Sequence, residues 1–231
     1  MPATAKVTDV SGGFYTVSEA ARLLGIESGQ RITRWLTTGS AGAAPIILRD
    51  YRRIGREHEL SFLDLMEVRF IEHFRQQKIS LQALRVASKE ARKELGVDHP
   101  FATSGVKFQT DRKQVFLETA KATGDKQLLN LMTKQIAIYE VIESSFARDL
   151  EFDVDGLARQ WTPAPALAPN VLVSPQYAFG RPVIAERRVP TRALFECWKA
   201  NGNDTAAVAD WFEIDDGAVN EAIRFELRPL H

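Results

Sequence analysis

The stretch that most constrains the fold is Tyr15–Leu36 (YTVSEAARLLGIESGQRITRWL), which predicts two short helices joined by a tight turn. Thr16 and Glu19 have the spacing of a capping box, in which each side chain binds the other residue's backbone amide. Gly25 can adopt the left-handed conformation that ends a helix, and Ser28 can cap the second helix. Apolar side chains recur at helical spacing, so we predict a helix-turn-helix with one buried face. Its buried residues are Val17, Ala20, Ala21, Leu24, Ile32, Trp35 and Leu36.

The outer face of the second helix carries polar side chains that suit the major groove of DNA. Arginine binds both guanine edges and phosphates, and two arginines lie three residues apart on this face. The predicted DNA-binding residues here are Gln30, Arg31, Thr33, Arg34 and Thr37. An amphipathic helix pair with surface arginines is also typical of an ordinary all-helical domain, so this stretch alone leaves both interpretations open.

The next segment, Pro45–Arg56, favours DNA binding because β-favouring residues flank a polar, arginine-rich middle. This composition predicts a β-hairpin, the wing, that lies along the phosphate backbone. Its candidate DNA-binding residues are Arg49, Arg52, Arg53 and Arg56. Residues 22–56 include seven arginines and two acidic residues, whereas the whole chain has 30 basic and 30 acidic side chains. We therefore expect DNA binding that weakens steeply with salt.

Two helices and a second hairpin are predicted after the wing. Ser61 caps a helix over Phe62–Gln76, which is apolar nearly all round and therefore buried. Ser80 caps an amphipathic helix that ends at Gly96. Alternating residues around a polar turn then predict a hairpin. Its strands are Val106–Thr110 and Gln114–Leu117.

The longest predicted helix runs from Asp125 to about Leu150, and an apolar stripe follows its length. The stripe indicates either a core helix or a dimer seam. A DNA reader with one recognition helix gains affinity by pairing two copies, so we predict a homodimer. The predicted dimer residues are Leu128, Met132, Ile136, Tyr139, Ile142 and Phe146.

Residues 162–169 are rich in proline, which predicts an extended linker at a domain boundary. Beyond it, short strands are predicted at Asn170–Ser174 and Pro182–Val189, followed by three helices. The predicted helix caps are Thr191, Asp204, and Asp215 or Asp216. The aromatic members of the predicted core are Phe195, Trp198, Trp211, Phe212 and Phe225. The second helix carries acidic residues, which disfavours duplex binding by this part of the chain.

The predicted fold class is mainly α with short β-hairpins. It comprises an N-terminal winged helix-turn-helix, a long helix, and a C-terminal three-helix, helix-turn-helix-like domain with a short β-hairpin. The predicted divisions are residues 1–13 (loose leader), 14–98 (winged helix), 99–161 (hairpin and long helix), 162–169 (linker) and 170–231 (C-terminal domain). With 231 residues, 45% of them hydrophobic, the chain is long enough for two domains.

Several function classes find no support in the sequence. No run of about 18 apolar residues can span a bilayer, and residues 1–13 lack the apolar core of a signal peptide, so we expect a cytoplasmic protein. The single Cys197 is expected to be buried packing. The carboxylate–histidine groups at His58 and His73 lack metal-binding spacing, and no nucleophile elbow, P-loop or dinucleotide fingerprint occurs. We therefore expect no enzyme activity, cofactor or metal.

The first part of the chain, Phe14 to Leu95, resembles the winged-helix DNA-binding module of the MerR type. The resemblance rests on residues 15–21 (YTVSEAA), the Arg31-x-x-Arg34-Trp35 stretch, the arginine-bearing wing and residues 78–81 (KISL). The last motif begins with lysine, where that family usually has glycine. The resemblance implies a winged helix that reads DNA. The chain lacks the cysteine loop with which some members of that family sense metals.

The C-terminal part, about Asn170 to Glu226, resembles the small antitoxin-type domain of unknown function often encoded beside PIN-like ribonuclease toxins. The matching motifs include VxVSP from Val171, FGRPVI from Phe179 and VPT from Val189. In place of the usual Gly-Thr-Arg-type turn, this chain has residues 186–188 (ERR). The resemblance implies a domain that binds and neutralises a toxin. Candidate partner-binding residues are Arg181, Arg187, Arg188 and Arg192, with pairing to Glu186, Asp215 and Asp216 as the alternative role.

Three hypotheses follow from these observations. The first is a DNA-binding antitoxin or autoregulator that represses its own operon and holds a PIN-like ribonuclease. The second is a MerR-type transcription factor whose C-terminal domain binds another protein or a ligand. The third is an adaptor that binds no DNA and uses both helix-turn-helix units for protein contacts.

Overall fold

The computed structural model of the protein describes residues 12–38, 42–51, 58–103, 113–133 and 149–229, except for the side chains of 113, 114 and 131–133. This part of the chain is mainly helical and includes short antiparallel strand pairs. Its apolar residues form an N-terminal and a C-terminal buried cluster. Residues 1–11 of the predicted leader lie outside the described residues.

The N-terminal half holds strands β1 (Tyr15–Thr16) and β2 (Glu59–Leu60) and helices α1 (Val17–Leu24), α2 (Gly29–Leu36), α3 (Phe62–Gln76), α4 (Leu81–Leu95), α5 (Lys113–Thr123) and α6 (Lys126–Thr133), with a 3-10 helix at Pro100–Ala102. The C-terminal half holds strands β3 (Leu150–Phe152), β4 (Ala158–Trp161), β5 (Val171–Leu172) and β6 (Val183–Ile184) and helices α7 (Thr191–Ala200), α8 (Thr205–Phe212) and α9 (Asp216–Leu227). The antiparallel pairs are β1 with β2, β3 with β4, and β5 with β6.

Helices α1 and α2 begin and end where the local sequence signals predict. The Thr16 hydroxyl accepts a hydrogen bond from the Glu19 amide. The Glu19 carboxylate accepts one from the Thr16 amide, at 2.8 Å, which completes the capping box. Gly25 ends α1 with a φ of 64°. The Ser28 hydroxyl accepts the Gln30 amide at the start of α2. Local interactions therefore fix both ends of α1 and the start of α2.

The predicted wing is wrong over its first arm, since residues 45–51 contain no strand. Ile46 and Ile47 are fully buried, and both of their amides donate to the Trp35 carbonyl oxygen, at 2.9 and 3.1 Å. The two apolar side chains gain more free energy by entering the core than they would in an exposed hairpin. Residues 52–57 lie outside the described part of the chain.

Helix α3 lies at the centre of the N-terminal core, as its apolar sequence predicts. Phe70 is fully buried, and its ring centroid lies 4.4 Å from that of Phe74 and 4.2 Å from that of Phe101. Phe116 of α5 completes the cluster at 5.5 Å from Phe74. Stacked rings gain free energy beyond the area that each ring buries. The cluster therefore joins α3, α5 and the 3-10 helix.

The predicted second hairpin is wrong over Gln114–Leu117, because this segment lies within α5. Val115, Phe116 and Ala120 are all buried, at spacings that fit one face of a helix. An alternation of only four residues is too short to exclude a helix, and packing against α4 favours the helix here. The other predicted strand, Val106–Thr110, lies outside the described residues.

The predicted long helix is present from Lys126 to Thr133, and residues 134–148 lie outside the described part. Its predicted end is wrong, because Leu150 begins β3 and pairs with Trp161. Leu128 is fully buried within the chain's own N-terminal core, so it has no surface left for a dimer partner. The Met132 side chain and the remaining dimer candidates (Ile136, Tyr139, Ile142 and Phe146) lie outside the described residues.

Residues 162–169 form turns and do not extend as a linker. The Ala168 amide donates to the Ala164 carbonyl oxygen at 2.8 Å, and Ala168 is fully buried in the C-terminal core. On either side of the turns, Trp161 and Val173 exchange two backbone hydrogen bonds, at 2.7 and 2.8 Å. The proline-rich sequence therefore folds back and brings β4 beside the first strand region of the C-terminal part.

The C-terminal part packs α7, α8 and α9 around one apolar core, with β5 and β6 at its edge. Asp204 and Asp215 cap α8 and α9 as predicted. Thr191 is not a cap: it is the first residue of α7, and its buried hydroxyl donates to the Glu226 carboxylate at 2.6 Å. Trp211 was expected in the core but is 73% exposed, because Val208 and Ala209 occupy the inner face of α8.

The two halves contact each other directly through α1 and β1. Arg22 of α1 forms an ion pair with Glu226 of α9. The Tyr15 hydroxyl donates to the Gly180 carbonyl oxygen at 2.8 Å, and the Phe14 amide donates to the Phe179 carbonyl oxygen at 3.1 Å. Among the described helices, none has the length and apolar character needed to cross a membrane.

Candidate nucleic-acid interface

The five DNA-binding candidates of α2 differ in their exposure and in their hydrogen bonds. Gln30 and Arg34 are exposed. The Thr33 and Thr37 hydroxyls each donate to a backbone carbonyl oxygen one turn earlier, those of Gly29 and Thr33, at 3.2 and 2.9 Å. The threonines therefore turn their hydroxyls towards their own helix, and Gln30 and Arg34 are the side chains presented outwards.

Arg31 has a structural partner that the sequence did not reveal. Its guanidinium donates to both carboxylate oxygens of Glu72 on α3, at 3.0 and 2.8 Å. Glu72 is largely buried, whereas the Arg31 side chain remains 40% exposed. Two parallel hydrogen bonds to one carboxylate fix the orientation of the guanidinium and therefore of its helix. Arg31 therefore fastens α2 to α3.

The arginines of the predicted wing are not gathered on one described surface. Arg49 is half-buried, and one of its terminal nitrogens is buried without a hydrogen-bond partner among the described residues. Arg52, Arg53 and Arg56 lie outside the described part. The charged surface described next to α2 therefore consists mainly of Arg34, with Arg31 partly neutralised by Glu72.

A cleft of about 390 Å³ lies between α1, α3 and the β3–β4 pair. Arg69 in this cleft donates to both carboxylate oxygens of Asp149, at 2.9 and 2.8 Å, and lies 5.5 Å from the Trp161 ring centroid. Burial lowers the pKa of the His73 imidazole, and the neighbouring Arg69 lowers it further. The charged groups of the cleft thus neutralise one another and connect α3 to the C-terminal half.

The four C-terminal arginines are exposed, and three of them have partners within the domain. Arg187 lies 3.3 Å from Glu213, and Arg192 pairs with Glu196 one turn along α7. The Arg188 guanidinium lies 4.4 Å from the Tyr177 ring centroid. These partners differ from the expected Glu186, Asp215 and Asp216. Ion pairs this exposed are worth little free energy, so they can exchange for contacts with another protein.

The exposed aromatic side chain of Phe179, close to Arg181, is a feature that sequence reasoning missed. Phe179 is 71% exposed and has a φ of 56°, the left-handed region that non-glycine residues seldom adopt. Such strain at an exposed side chain is common where a protein binds a partner. The FGRPVI motif could have indicated this exposure. No apolar residues recur at helical spacing around Phe179, so no local pattern predicts that its ring is buried.

Comparison with known proteins bears on the C-terminal part and on the fold. Residues 171–225 match the family described as "Protein of unknown function (DUF433)". This match agrees with the resemblance of the C-terminal part to a domain of unknown function. The matched segment contains Phe179, all four candidate arginines, helices α7 and α8, and α9 except its last two residues. No curated protein matches the chain.

The chain also has the fold of a solved structure, described as the X-ray crystal structure of Rv2018 from Mycobacterium tuberculosis. The two share 22% sequence identity and superpose with a TM-score of 0.69. The similar region covers 91% of this chain and 96% of that chain. The arrangement of the DUF433 region and the N-terminal helices therefore occurs in another protein, and at this identity the likeness shows the fold alone.

Proposed function

We propose that this protein is a cytoplasmic DNA-binding transcriptional regulator, the antitoxin of a toxin–antitoxin pair, which represses its own operon and neutralises a PIN-like ribonuclease. The observation that carries the DNA-binding part is the presentation of Gln30 and Arg34 on the outer face of a short, capped helix. Helix α2 buries Ile32, Trp35 and Leu36 on its other side, so its outer face is held rigidly. A rigid, short helix with an exposed arginine suits the major groove.

The proposal assigns different roles to the two arginines of α2. Arg34 is the direct contact to a base edge or phosphate. Arg31 is a positioning residue, because its guanidinium is bound to Glu72 and holds α2 against α3. Homodimerisation would supply a second copy of this helix and match a palindromic operator. The proposal assigns phosphate contacts to Arg52, Arg53 and Arg56.

Replacement of Arg34 with glutamine is expected to weaken operator binding. A good arginine contact is worth about 1–3 kcal/mol of discrimination, which corresponds to a loss of affinity of about 5- to 150-fold. Arg224→Gln is the matched control, because Arg224 is also exposed on a helix and the charge change is the same. Fluorescence anisotropy with labelled operator DNA measures both variants. Equal affinity of Arg34→Gln and the unmodified protein would refute the role of Arg34.

The antitoxin part of the proposal is supported by the surface around Phe179 and Arg181. An exposed aromatic side chain beside an exposed arginine is typical of the residues that dominate protein interfaces. An arginine could also reach the acidic, metal-binding centre of a PIN-like ribonuclease. Copurification with such a ribonuclease, encoded beside the gene for this chain, and inhibition of its RNA cleavage would test this part.

The two other hypotheses differ from the proposal in measurable ways. A MerR-type transcription factor with a different C-terminal partner would bind operator DNA but would leave a PIN-like ribonuclease active. An adaptor that binds no DNA would show no selective binding to any operator, and Arg34→Gln would leave its function intact. The contact between α1 and the C-terminal half is compatible with all three hypotheses.

A further inference from the structure

A group of four ionisable side chains, three of them buried, lies at the first turns of α3. Asp50 lies in the segment predicted as the wing, Asp64 and Glu67 belong to α3, and His99 precedes the 3-10 helix. One carboxylate oxygen from Asp50, one from Asp64 and one ring nitrogen of His99 all lie within 4.8 Å of one another. Asp64 and Glu67 are fully buried and His99 is 5% exposed, whereas Asp50 is exposed and its Oδ1 lies 2.9 Å from His99 Nε2.

Among the described residues, three polar atoms of this group are buried without a hydrogen-bond partner: Oδ1 of Asp64, Oε2 of Glu67 and Nδ1 of His99. The His99 Nδ1 atom lies 3.7 Å from Asp64 Oδ1 and 3.9 Å from Glu67 Oε2, too far for hydrogen bonds. A buried polar atom without a partner costs about 1–3 kcal/mol. Three such atoms that face one another indicate a binding site for a ligand that would lie between them.

Hydrogen bonds on the outer side of the group hold these atoms in place. The second oxygen of Asp64 accepts the Ser61 amide at 2.9 Å, which is part of the α3 capping box. The second oxygen of Glu67 accepts the Phe101 amide at 3.2 Å. The two side chains are therefore fixed by their outer oxygens, and their inner oxygens point towards His99. Such outer contacts orient metal ligands in known sites.

The charges of the group favour a cation. Asp50, Asp64 and Glu67 bring three carboxylates, and the Arg92 guanidinium, 3.9 Å from Glu67, is the permanent positive charge nearest to Glu67 among the described residues. Burial raises the pKa of Asp64 to about 7; His99 and the Ser61 amide lower it, and the carboxylates of Asp50 and Glu67 raise it to a smaller extent than burial does. A second proton on His99 is the alternative source of positive charge, since contacts with Asp50 and Glu67 outweigh burial and raise its pKa to about 10.

We propose that Asp50, Asp64 and His99 bind a divalent transition-metal ion, with Glu67 beside them as a further oxygen ligand. One imidazole with carboxylate oxygens is a ligand set that suits Zn²⁺ or Mn²⁺. Binding displaces the proton from the coordinating ring nitrogen of His99, so protons are released as the ion enters. The ion would join the segment around Asp50, α3 and the residue before the 3-10 helix. Sequence analysis missed this site because its ligands are far apart in the chain.

The test is isothermal titration of the chelator-treated full chain with ZnCl₂ and, separately, with MnCl₂. We expect one ion per chain, and Asp50→Asn is expected to weaken its binding at least tenfold. Asp98→Asn is the matched control, because it removes the same charge from an exposed residue beside His99 and should leave the affinity unchanged. The absence of saturable binding would overturn the proposal, as would equal binding by Asp50→Asn and the unmodified protein.

A second measurement needs no variant and therefore does not depend on how a variant folds. Thermal unfolding of the unmodified chain is compared in excess EDTA and in a slight excess of whichever ion binds. An ion that joins three segments of the folded chain stabilises it by mass action, so the melting temperature should rise with the ion concentration. An unchanged melting temperature would overturn the proposal and assign the positive charge at this site to protonated His99.

Discussion

Replacement of Phe70 with alanine is expected to lower the free energy of unfolding by about 3–5 kcal/mol. The Phe70 ring is fully buried and stacks between Phe74 and Phe101, with centroid distances of 4.4 and 4.2 Å. Alanine would lose the transfer free energy of the ring and leave a cavity that α3 cannot close without moving. Chemical denaturation followed by circular dichroism measures the change, read from the transition midpoint at constant slope.

Phe179→Ala is the matched control for Phe70→Ala, because the same atoms are removed from a side chain that is 71% exposed. A surface substitution of this kind is expected to change the free energy of unfolding by no more than about 0.5 kcal/mol. If both variants unfold at the same denaturant concentration, the stacked aromatic cluster does not hold the N-terminal core together.

Replacement of Gly180 with alanine is expected to destabilise the contact between the two halves of the protein. Gly180 has a φ of 88°, and a Cβ atom there would lie 2.3 Å from the Tyr15 hydroxyl oxygen and 2.7 Å from its ring carbon Cζ. Tyr15 is 2% exposed and cannot move aside freely. The strained backbone costs about 1–3 kcal/mol, and the lost Tyr15 hydrogen bond about 1 kcal/mol more.

Gly202→Ala separates the cost of backbone strain from the cost of the clash with Tyr15. Gly202 also has a positive φ, 67°, but a Cβ atom there meets nothing within 4 Å. This variant therefore measures backbone strain alone, at about 1–2 kcal/mol. Gly180→Ala should exceed it by at least about 1 kcal/mol in chemical denaturation because of the added clash and lost hydrogen bond. Equal effects of the two variants would mean that Tyr15 and Gly180 are not in contact, and that α1 and the DUF433 region are not joined there.

The sequence predicted those features that depend on neighbouring residues in the chain. Thr16 with Glu19, Gly25 and Ser61 all cap helices as expected, because each interaction is completed within a few residues. The apolar sequence of α3 also predicted its burial. Boundaries and surfaces that depend on tertiary packing were not predictable in this way. Ile46 and Ile47 have the composition of a strand but are drawn into the core instead.

The candidate site was predictable only in part. The pattern of α2 identified Gln30 and Arg34 on its outer face, and both are exposed. The pairing of Arg31 with Glu72 depends on a residue 41 positions away, so no local pattern predicts it. Trp211 lies next to an inward-facing position on α8 and was assigned to the core, but a shift of one residue on a helix turns a side chain outwards.

The central claim, selective DNA binding, is tested most directly by a fluorescence-anisotropy titration of the full chain against DNA from upstream of its own gene. The titration includes a scrambled competitor and two salt concentrations. We expect tight binding that the scrambled DNA does not compete away, and a loss of affinity of about 100-fold between about 50 and 200 mM salt if about four phosphates are contacted. Absent binding, or equal binding to the scrambled DNA, would contradict the account.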